Sequence, residues 1–153
     1  MATSNVDVTP LAVEHANQLD VLRRAYAEEM KGPGSNCVSF AESLLQSPNI
    51  VVLGAFEGLE LLGFAVAFEL PEAIFCRTCG HLDDLFVTPA RRGAGIGGKL
   101  IERLVAIGRD RHWSHLRWLA PARDAPSVAL YGRIAEAAEW QSFVIRLDKE
   151  FRL

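Results

Sequence analysis

Apolar positions recur at three- and four-residue steps between Val13 and Met30. Leu19, Leu22, Tyr26 and Met30 fall on one line, with Val21 and Ala25 beside it, and this spacing predicts an amphipathic helix. Lys31-Gly32-Pro33-Gly34-Ser35-Asn36 stops it, with glycine and proline just past its end. A second short helix is expected over Val38 to Leu45, closed by Ser47-Pro48-Asn49. The period then shortens. Ile50 to Phe56 is rich in β-branched and aromatic residues and reads as a strand. Glu57-Gly58-Leu59-Glu60 is a turn, and Leu61 to Leu70 is the return strand, with Gly63 marking a bulge or a close approach of backbone. Ile74 to Val87 reads as extended, with an interruption around Cys79-Gly80. The helical period resumes from Ile96 to Asp110, where Leu100, Leu104 and Ile107 align. Leu116 to Ala120 is a further strand and Ser127 to Glu139 a helix. Phe143 to Phe151 alternates as a final strand with one drier face. With a short first strand over Val6 to Leu11, this order predicts an α/β fold. Its central sheet is mixed, partly antiparallel and partly parallel, and flanked by helices.

Length and composition change this picture little. The chain has 153 residues, enough for one domain with a real core, and the whole of 1–153 is expected to form it. Half the residues are hydrophobic and 23% are charged, a globular balance. The net charge of −3 gives no electrostatic footprint for nucleic acid, and none is expected as a partner. Three cysteines, Cys37, Cys76 and Cys79, argue against a secreted disulfide framework. The N-terminus shows no signal-peptide pattern. The apolar window Ile50 to Leu70 carries Glu57, Glu60 and Glu69, which a bilayer would penalise by about 2.5–3.5 kcal/mol each near its centre. A hairpin is the better reading, and a soluble, cytoplasmic protein with no membrane partner is expected.

The chemistry concentrates in one loop. A strand ends at Val87, the chain runs through Arg91, Arg92, Gly93, Ala94, Gly95, Ile96, Gly97 and Gly98, and a helix begins near Lys99. Helix starts present unpaired N–H groups and a partial positive charge. Glycines remove the Cβ atoms that would keep a phosphate at a distance. The product is an anion cradle made of main chain, with Arg91, Arg92 and Lys99 adding cations nearby. Gly98-Lys99 is followed by Leu100, so the hydroxyl of a Walker loop is missing. A dinucleotide fold would want an acidic residue about 20 positions on; Asp110, the nearest, lies near the helix end.

Arg92-Gly93-Ala94-Gly95-Ile96-Gly97 resembles the Arg/Gln-x-x-Gly-x-Gly/Ala pyrophosphate loop of the GNAT superfamily of N-acetyltransferases. The preceding Asp84-Leu85-Phe86-Val87-Thr88-Pro89 resembles that family's fourth strand. The resemblance implies a GNAT-like fold and acetyl-CoA as cosubstrate. The main chain of Leu85, Phe86 and Val87 would pair with the pantetheine arm, and the loop from Arg92 to Gly98, with Lys99, would hold the pyrophosphate. Further on, Asp124-Ala125-Pro126-Ser127-Val128-Ala129-Leu130-Tyr131 is similar to the family's Asn-x-x-Ser/Ala-x-x-x-Tyr. The tyrosine is kept. The asparagine is replaced by Asp124, which when ionised cannot donate from its side chain and is equally suited to capping the helix. Asp124 and Ser127 are carried as cofactor contacts. The diamine-acetylating branch has a glutamate where Asp83 stands.

Acetyl transfer to an amine requires removal of a proton, a polarised thioester carbonyl and a protonated leaving thiolate. An alkylammonium of pKa about 10.4 is neutral in only about one molecule in 2,500 at pH 7, so a nearby carboxylate helps. Asp83 and Asp84 are adjacent on a strand and are expected to face opposite sides, with Asp83 favoured as the base. Backbone N–H groups near Phe86 and Val87 would polarise the carbonyl. Tyr131 would protonate the thiolate. Cys76-Arg77-Thr78-Cys79-Gly80-His81 lacks a second ligand pair and no metal is expected. His112 and His115 are read as a helix end. Glu28 and Glu29 would favour a cationic acceptor. The expected activity is direct transfer of acetyl to a primary amine of a small molecule. The alternative is a coenzyme A-binding sensor or assembly module without catalysis. A homodimer is expected from the resemblance.

Overall fold

The computed structural model describes residues 5–32, 37–121 and 124–148. They fall into two compact units, Met1–Leu119 and Ala120–Leu153. The first holds a five-stranded sheet in the order β1-β2-β3-β4-β5. Its strands are β1 (Asp7–Pro10), β2 (Ile50–Glu57), β3 (Glu60–Glu72), β4 (Arg77–Val87) and β5 (Leu116–Trp118). The first four are successive antiparallel neighbours, and β5 alone runs parallel to β4. The mixed sheet expected from the sequence is therefore present. The helices of this unit are α1 (Ala16–Glu29), α2 (Val38–Gln46) and α3 (Ile96–Asp110). No helix among the described residues is long and apolar enough to cross a membrane.

Strand parity sorts the core. Val52, Phe64, Val66 and Phe86 pack with Leu19 and Leu22 of α1 and Ala41 of α2. The intervening residues face the other way, where α3 packs against β1 to β4 and Leu85 lies beside Gly97. Leu53, Leu62, Leu100 and Leu104 are fully buried. Burying a leucine of this kind stabilises the fold by roughly 1.5–3 kcal/mol. The start of α2 is tied to α1 by Asp20, which is 1% exposed. Its carboxylate meets Arg23 at 2.9 Å and Arg24 at 3.2 Å and accepts from the Cys37 N–H at 3.2 Å.

One sequence expectation is corrected here. β4 runs unbroken through Cys79-Gly80, because the absent side chain of Gly80 leaves room for the Trp113 ring. A Cβ there would lie 2.3 Å from it. Gly63 is the close-approach point expected, since a Cβ would meet the Phe86 carbonyl oxygen at 2.6 Å, and the β2–β3 register slips beside it, where Ala55 pairs with Gly63 but Phe56 with Leu61.

The second unit holds α4 (Ala125–Ile134), shorter than the helix expected to Glu139. The final strand expected over Phe143 to Phe151 is absent across residues 143–148, where Phe143, Ile145 and Leu147 are exposed. Residues 149–151 lie outside the described residues. Alternation alone does not make a strand; a ladder partner is needed, and among the described residues this segment has none.

Candidate active site

β4 is paired on one side with β3 along its whole length, but with β5 only from Gly80 to Leu82. Beyond Leu82 the strands part, leaving the main chain of Asp83 to Val87 with no strand on the β5 side among the described residues. Apart from the Val87 carbonyl, which accepts from Arg92, that edge offers main-chain N–H and C=O groups to an extended ligand, as a sheet edge does to an added strand. Leu85, Phe86 and Val87, the expected pantetheine contacts, occupy it.

The edge leads straight into the glycine loop. A helical turn at Pro89–Arg91 follows Thr88, and α3 begins after Gly95. Gly93 and Gly95 have φ of 80° and 79°, where a side chain is strained, so glycine is required at both. Around Gly93, Gly95 and Gly98 a Cβ would meet nothing within 4 Å, and at Gly97 only Leu85 at 3.9 Å. The floor is open and lined by backbone at a helix start, which fits a diphosphate. Ala94 is exposed between the two strained glycines, and Ile96 is buried as the loop's anchor. The turn is pinned by Arg91, whose two terminal nitrogens donate to Glu57 at 2.6 and 2.7 Å.

The expected cations do not converge on this floor. Arg91 is held by Glu57, and Lys99 donates to the Val6 carbonyl at 3.3 Å. Arg92 donates to the Val87 carbonyl at 2.9 Å and to Glu29 at 2.7 and 2.9 Å, and its guanidinium lies 5.5 Å from the Phe86 ring centroid. In this state the cradle is chiefly main chain.

The two aspartates do not face opposite sides as expected. Val66 pairs with Asp84 but Ala67 pairs with Leu82, so Asp83 is the extra residue of a β-bulge. A bulge turns two successive side chains toward one side. Parity puts His81, Asp83, Asp84 and Phe86 all on the α1 face. Burial raises the Asp84 pKa to about 6; the neighbouring Asp83 charge and hydrogen bonding with Asp83 add to the shift. Asp83 itself is exposed, and the His81 Nε2 lies 4.0 Å from its Oδ1. Sequence reasoning weighed His81 only as a metal ligand; the i, i+2 spacing of His81 and Asp83 was the available sign that they share a face. Above them, Tyr26 of α1 packs on Phe86 at 5.3 Å, and Glu29 ends the same helix.

In the second unit Asp124 caps α4. Its carboxylate accepts from the Ser127 N–H at 3.4 Å and from the Ser127 hydroxyl at 2.6 Å. Tyr131 lies one turn further on. Burial raises its phenol pKa, a hydrogen bond with Ser127 opposes that, and the Asp124 charge raises it further. The phenol therefore stays protonated at neutral pH.

Two other places hold none of these residues. A hollow of about 260 Å³ is lined by Leu45, Ile50, Val52, Arg103, Ile107 and Asp110 among others, away from the loop. Glu72, Cys79 and His115 bring ligand atoms within 4.8 Å of one another. Both oxygens of that glutamate already accept from guanidinium groups, Arg77 at 2.5 Å and Arg117 at 3.2 Å. Burial also raises the Cys79 thiol pKa, which opposes thiolate ligation.

A strand edge that opens toward a glycine-rich helix start, with a carboxyl of raised pKa beside it, has the arrangement that suits a group transferase using an extended, diphosphate-bearing carrier. Residues 18–135 match the model of the Acetyltransferase (GNAT) family, and the chain belongs to that family. Over 93% of this chain and 99% of the other, it is 34% identical to a ribosomal-protein-alanine N-acetyltransferase from Brucella melitensis biovar Abortus 2308, with a TM-score of 0.83. A thialysine N-epsilon-acetyltransferase from Caenorhabditis elegans is 27% identical over 94% of this chain and 92% of that protein. An aminoglycoside acetyltransferase from an uncultured soil metagenomic sample is 25% identical, over 94% of this chain and 99% of that one, with a TM-score of 0.83. The chain is an N-acetyltransferase, and acetyl-CoA is its acetyl donor.

Proposed function

We propose that the protein transfers acetyl from acetyl-CoA directly to a primary amine of a small molecule. The observation that carries this reading is the Asp83–Asp84 bulge. It sets a carboxyl with a pKa of about 6 on the α1 face of β4, at the level where the β5 pairing ends. Such a group is mostly ionised at pH 7 yet basic enough to take a proton from an ammonium as it is desolvated. The acidic face of Asp83, Asp84, Glu28 and Glu29 supports a cationic acceptor.

In this reading Asp84 accepts the amine proton, directly or through water, and burial, with Asp83 beside it, keeps its pKa high. The order of preference between the two is thus reversed from the one the sequence suggested. The N–H groups of the free β4 edge near Phe86 and Val87 orient the thioester carbonyl, while the main chain of Leu85 to Val87 aligns the carrier arm. Gly93, Ala94, Gly95, Ile96, Gly97 and Gly98 hold the diphosphate, chiefly through main-chain N–H groups at the start of α3. Asp124 and Ser127 complete the donor contacts. Tyr131 gives its phenolic proton to the departing thiolate. The thiol pKa near 8.5 lies below that of a free phenol near 10, and burial raises the Tyr131 phenol further, so the transfer is uphill and rests on proximity.

The names of the relatives include both small amines and a ribosomal-protein alanine. The test is a panel of diamines, thialysine, aminoglycosides and alanine-initiated peptides, following free-thiol release. Small-amine transfer is expected to give the largest kcat/KM. Turnover confined to the peptides would replace this reading with protein N-terminal acetylation, a second reading favoured by the 34% identity to the ribosomal-protein-alanine enzyme. Binding of acetyl-CoA with no turnover on any amine would favour the non-catalytic module. A cytoplasmic homodimer belongs to the same proposal, and light scattering of the purified protein tests its stoichiometry.

A further inference from the structure

Arg92 flanks the glycine cradle, yet its guanidinium is turned away from it. Nη2 donates to both oxygens of Glu29 and Nε donates to the Val87 carbonyl, so this one side chain ties the end of α1 to the end of β4. A guanidinium held by a carboxylate offers a phosphate little net charge. A diphosphate drawn to Arg92 therefore competes directly with Glu29. The pair is exposed, with side chains 47% and 39% accessible, so the exchange costs little. Exposed ion pairs shift an equilibrium by at most about fivefold.

We propose that the Arg92–Glu29 pair is a donor-operated latch. The diphosphate of the carrier draws Arg92 off Glu29, and the freed carboxylate then holds the distal ammonium of a diamine-type acceptor. This rests on the reading of the site as transferring acetyl to a small amine. The geometry supports it from two sides. Glu29 follows Tyr26 by less than one turn of α1, and Tyr26 packs on Phe86. Asp84 is two residues before Phe86 on the same face of β4. Glu29 and Asp84 thus approach one aromatic platform from the helix and from the strand. A dication lying over it would present its reacting nitrogen to Asp84 and its second charge to Glu29. Because coupling is reciprocal, bound donor raises acceptor affinity by the factor with which bound acceptor raises donor affinity.

The test begins with calorimetric titration of coenzyme A into wild-type protein, Glu29→Gln, Arg92→Gln and the double variant, without acceptor. Melting temperatures would verify that each variant is folded. Glu29→Gln is expected to bind coenzyme A about three- to fivefold more tightly than wild type at low salt, and the gain should vanish in the Arg92→Gln background. With saturating acetyl-CoA, Glu29→Gln should raise KM for a diamine by about fivefold, with the effect falling on KM rather than kcat. A monoamine of equal length should show little change. Equal or weaker coenzyme A binding by Glu29→Gln overturns the latch, and so does an equal KM rise for both amines. Tighter binding by Glu29→Gln with no acetylation of any amine by wild type would overturn the transfer reading and the acceptor half of the latch. It would leave the Arg92–Glu29 coupling standing.

Discussion

Replacing Asp84 with asparagine separates stability from turnover at one position. The carboxyl titrates at about 6 in the folded chain, against 3.8 for an ordinary aspartate. The folded state therefore prefers the protonated form, and ionisation of Asp84 works against folding. Below pH 3.8 both folded and unfolded chains carry the proton and the group costs nothing. As pH rises, the unfolded chain releases its proton first, and the cost grows until the folded carboxyl also ionises above about pH 6. Two pKa units at 1.36 kcal/mol each set that cost at about 3 kcal/mol at pH 8, and below about 1 kcal/mol at pH 4. Asparagine keeps the shape and removes the charge. Asp84→Asn should therefore raise the melting temperature at pH 8 by roughly 5–10 °C for a domain of this size, with most of the gain gone at pH 4. It should also lower kcat by about 10²–10⁴-fold, the usual contribution of a positioned base. Wild-type kcat/KM should climb with pH through a limb near 6 that the variant lacks. Paired thermal melts at the two pH values, with thiol-release kinetics across pH 5 to 9, measure all of this. A variant no more stable than wild type at pH 8, or equally stabilised at both pH values, would refute the burial argument. A stabilised variant with undiminished turnover would refute the catalytic one.

The remaining predictions bear on the neighbours of this group. Asp83→Asn removes a like charge from Asp84, so the acid limb of kcat/KM should move to lower pH, read from the same profile. Tyr131→Phe should keep acetyl-CoA affinity within about threefold, by calorimetry, while kcat falls at least about tenfold; equal losses in both would point to a packing role. Gly95→Ala forces a side chain onto φ of 79° at the start of α3, and should cost about 1 kcal/mol of stability in denaturant melts and weaken coenzyme A binding. Asp20→Ala strips two arginines and the Cys37 N–H of a buried partner and should destabilise the fold by about 2–3 kcal/mol.

What could be read from the sequence, and what could not, divides by the range of the interaction that decides it. α1, α2 and α3 are set by local period and stop signals, and they fall close to where the spacing put them. The loop was legible for the same reason: Gly93 and Gly95 are needed for their own φ values, a property of single residues. The cation partners were not legible. Arg91 lies 34 positions from Glu57, Arg92 63 from Glu29, and Lys99 93 from Val6, and nothing local distinguishes an arginine that will meet phosphate from one that will meet a carboxylate. The final strand failed for a related reason, since alternation describes a face and says nothing of the neighbour that would complete the ladder.

The aspartate pair shows most sharply why register matters more than pattern. In a regular strand, adjacent side chains diverge, and only one of Asp83 and Asp84 would lie on the α1 face. The bulge is not written in either residue. It arises because β3 pairs Val66 with Asp84 and Ala67 with Leu82, using two residues where β4 uses three. Without that slip, Asp84 would lose the hydrogen bonding with Asp83 and its charge would lie farther from that neighbour, so part of the shift would go while burial, its largest cause, still held the pKa up. The basicity proposed for catalysis therefore rests first on burial, and strand pairing adds to it. Deleting Asp83 should restore regular register with Leu82 still opposite Ala67 and Asp84 still opposite Val66, so it removes the bulge and lowers the Asp84 pKa without turning β4 over. Substituting Asp83 by asparagine lowers the pKa alone. If the two changes impaired turnover equally, charge rather than geometry would be what the bulge supplies.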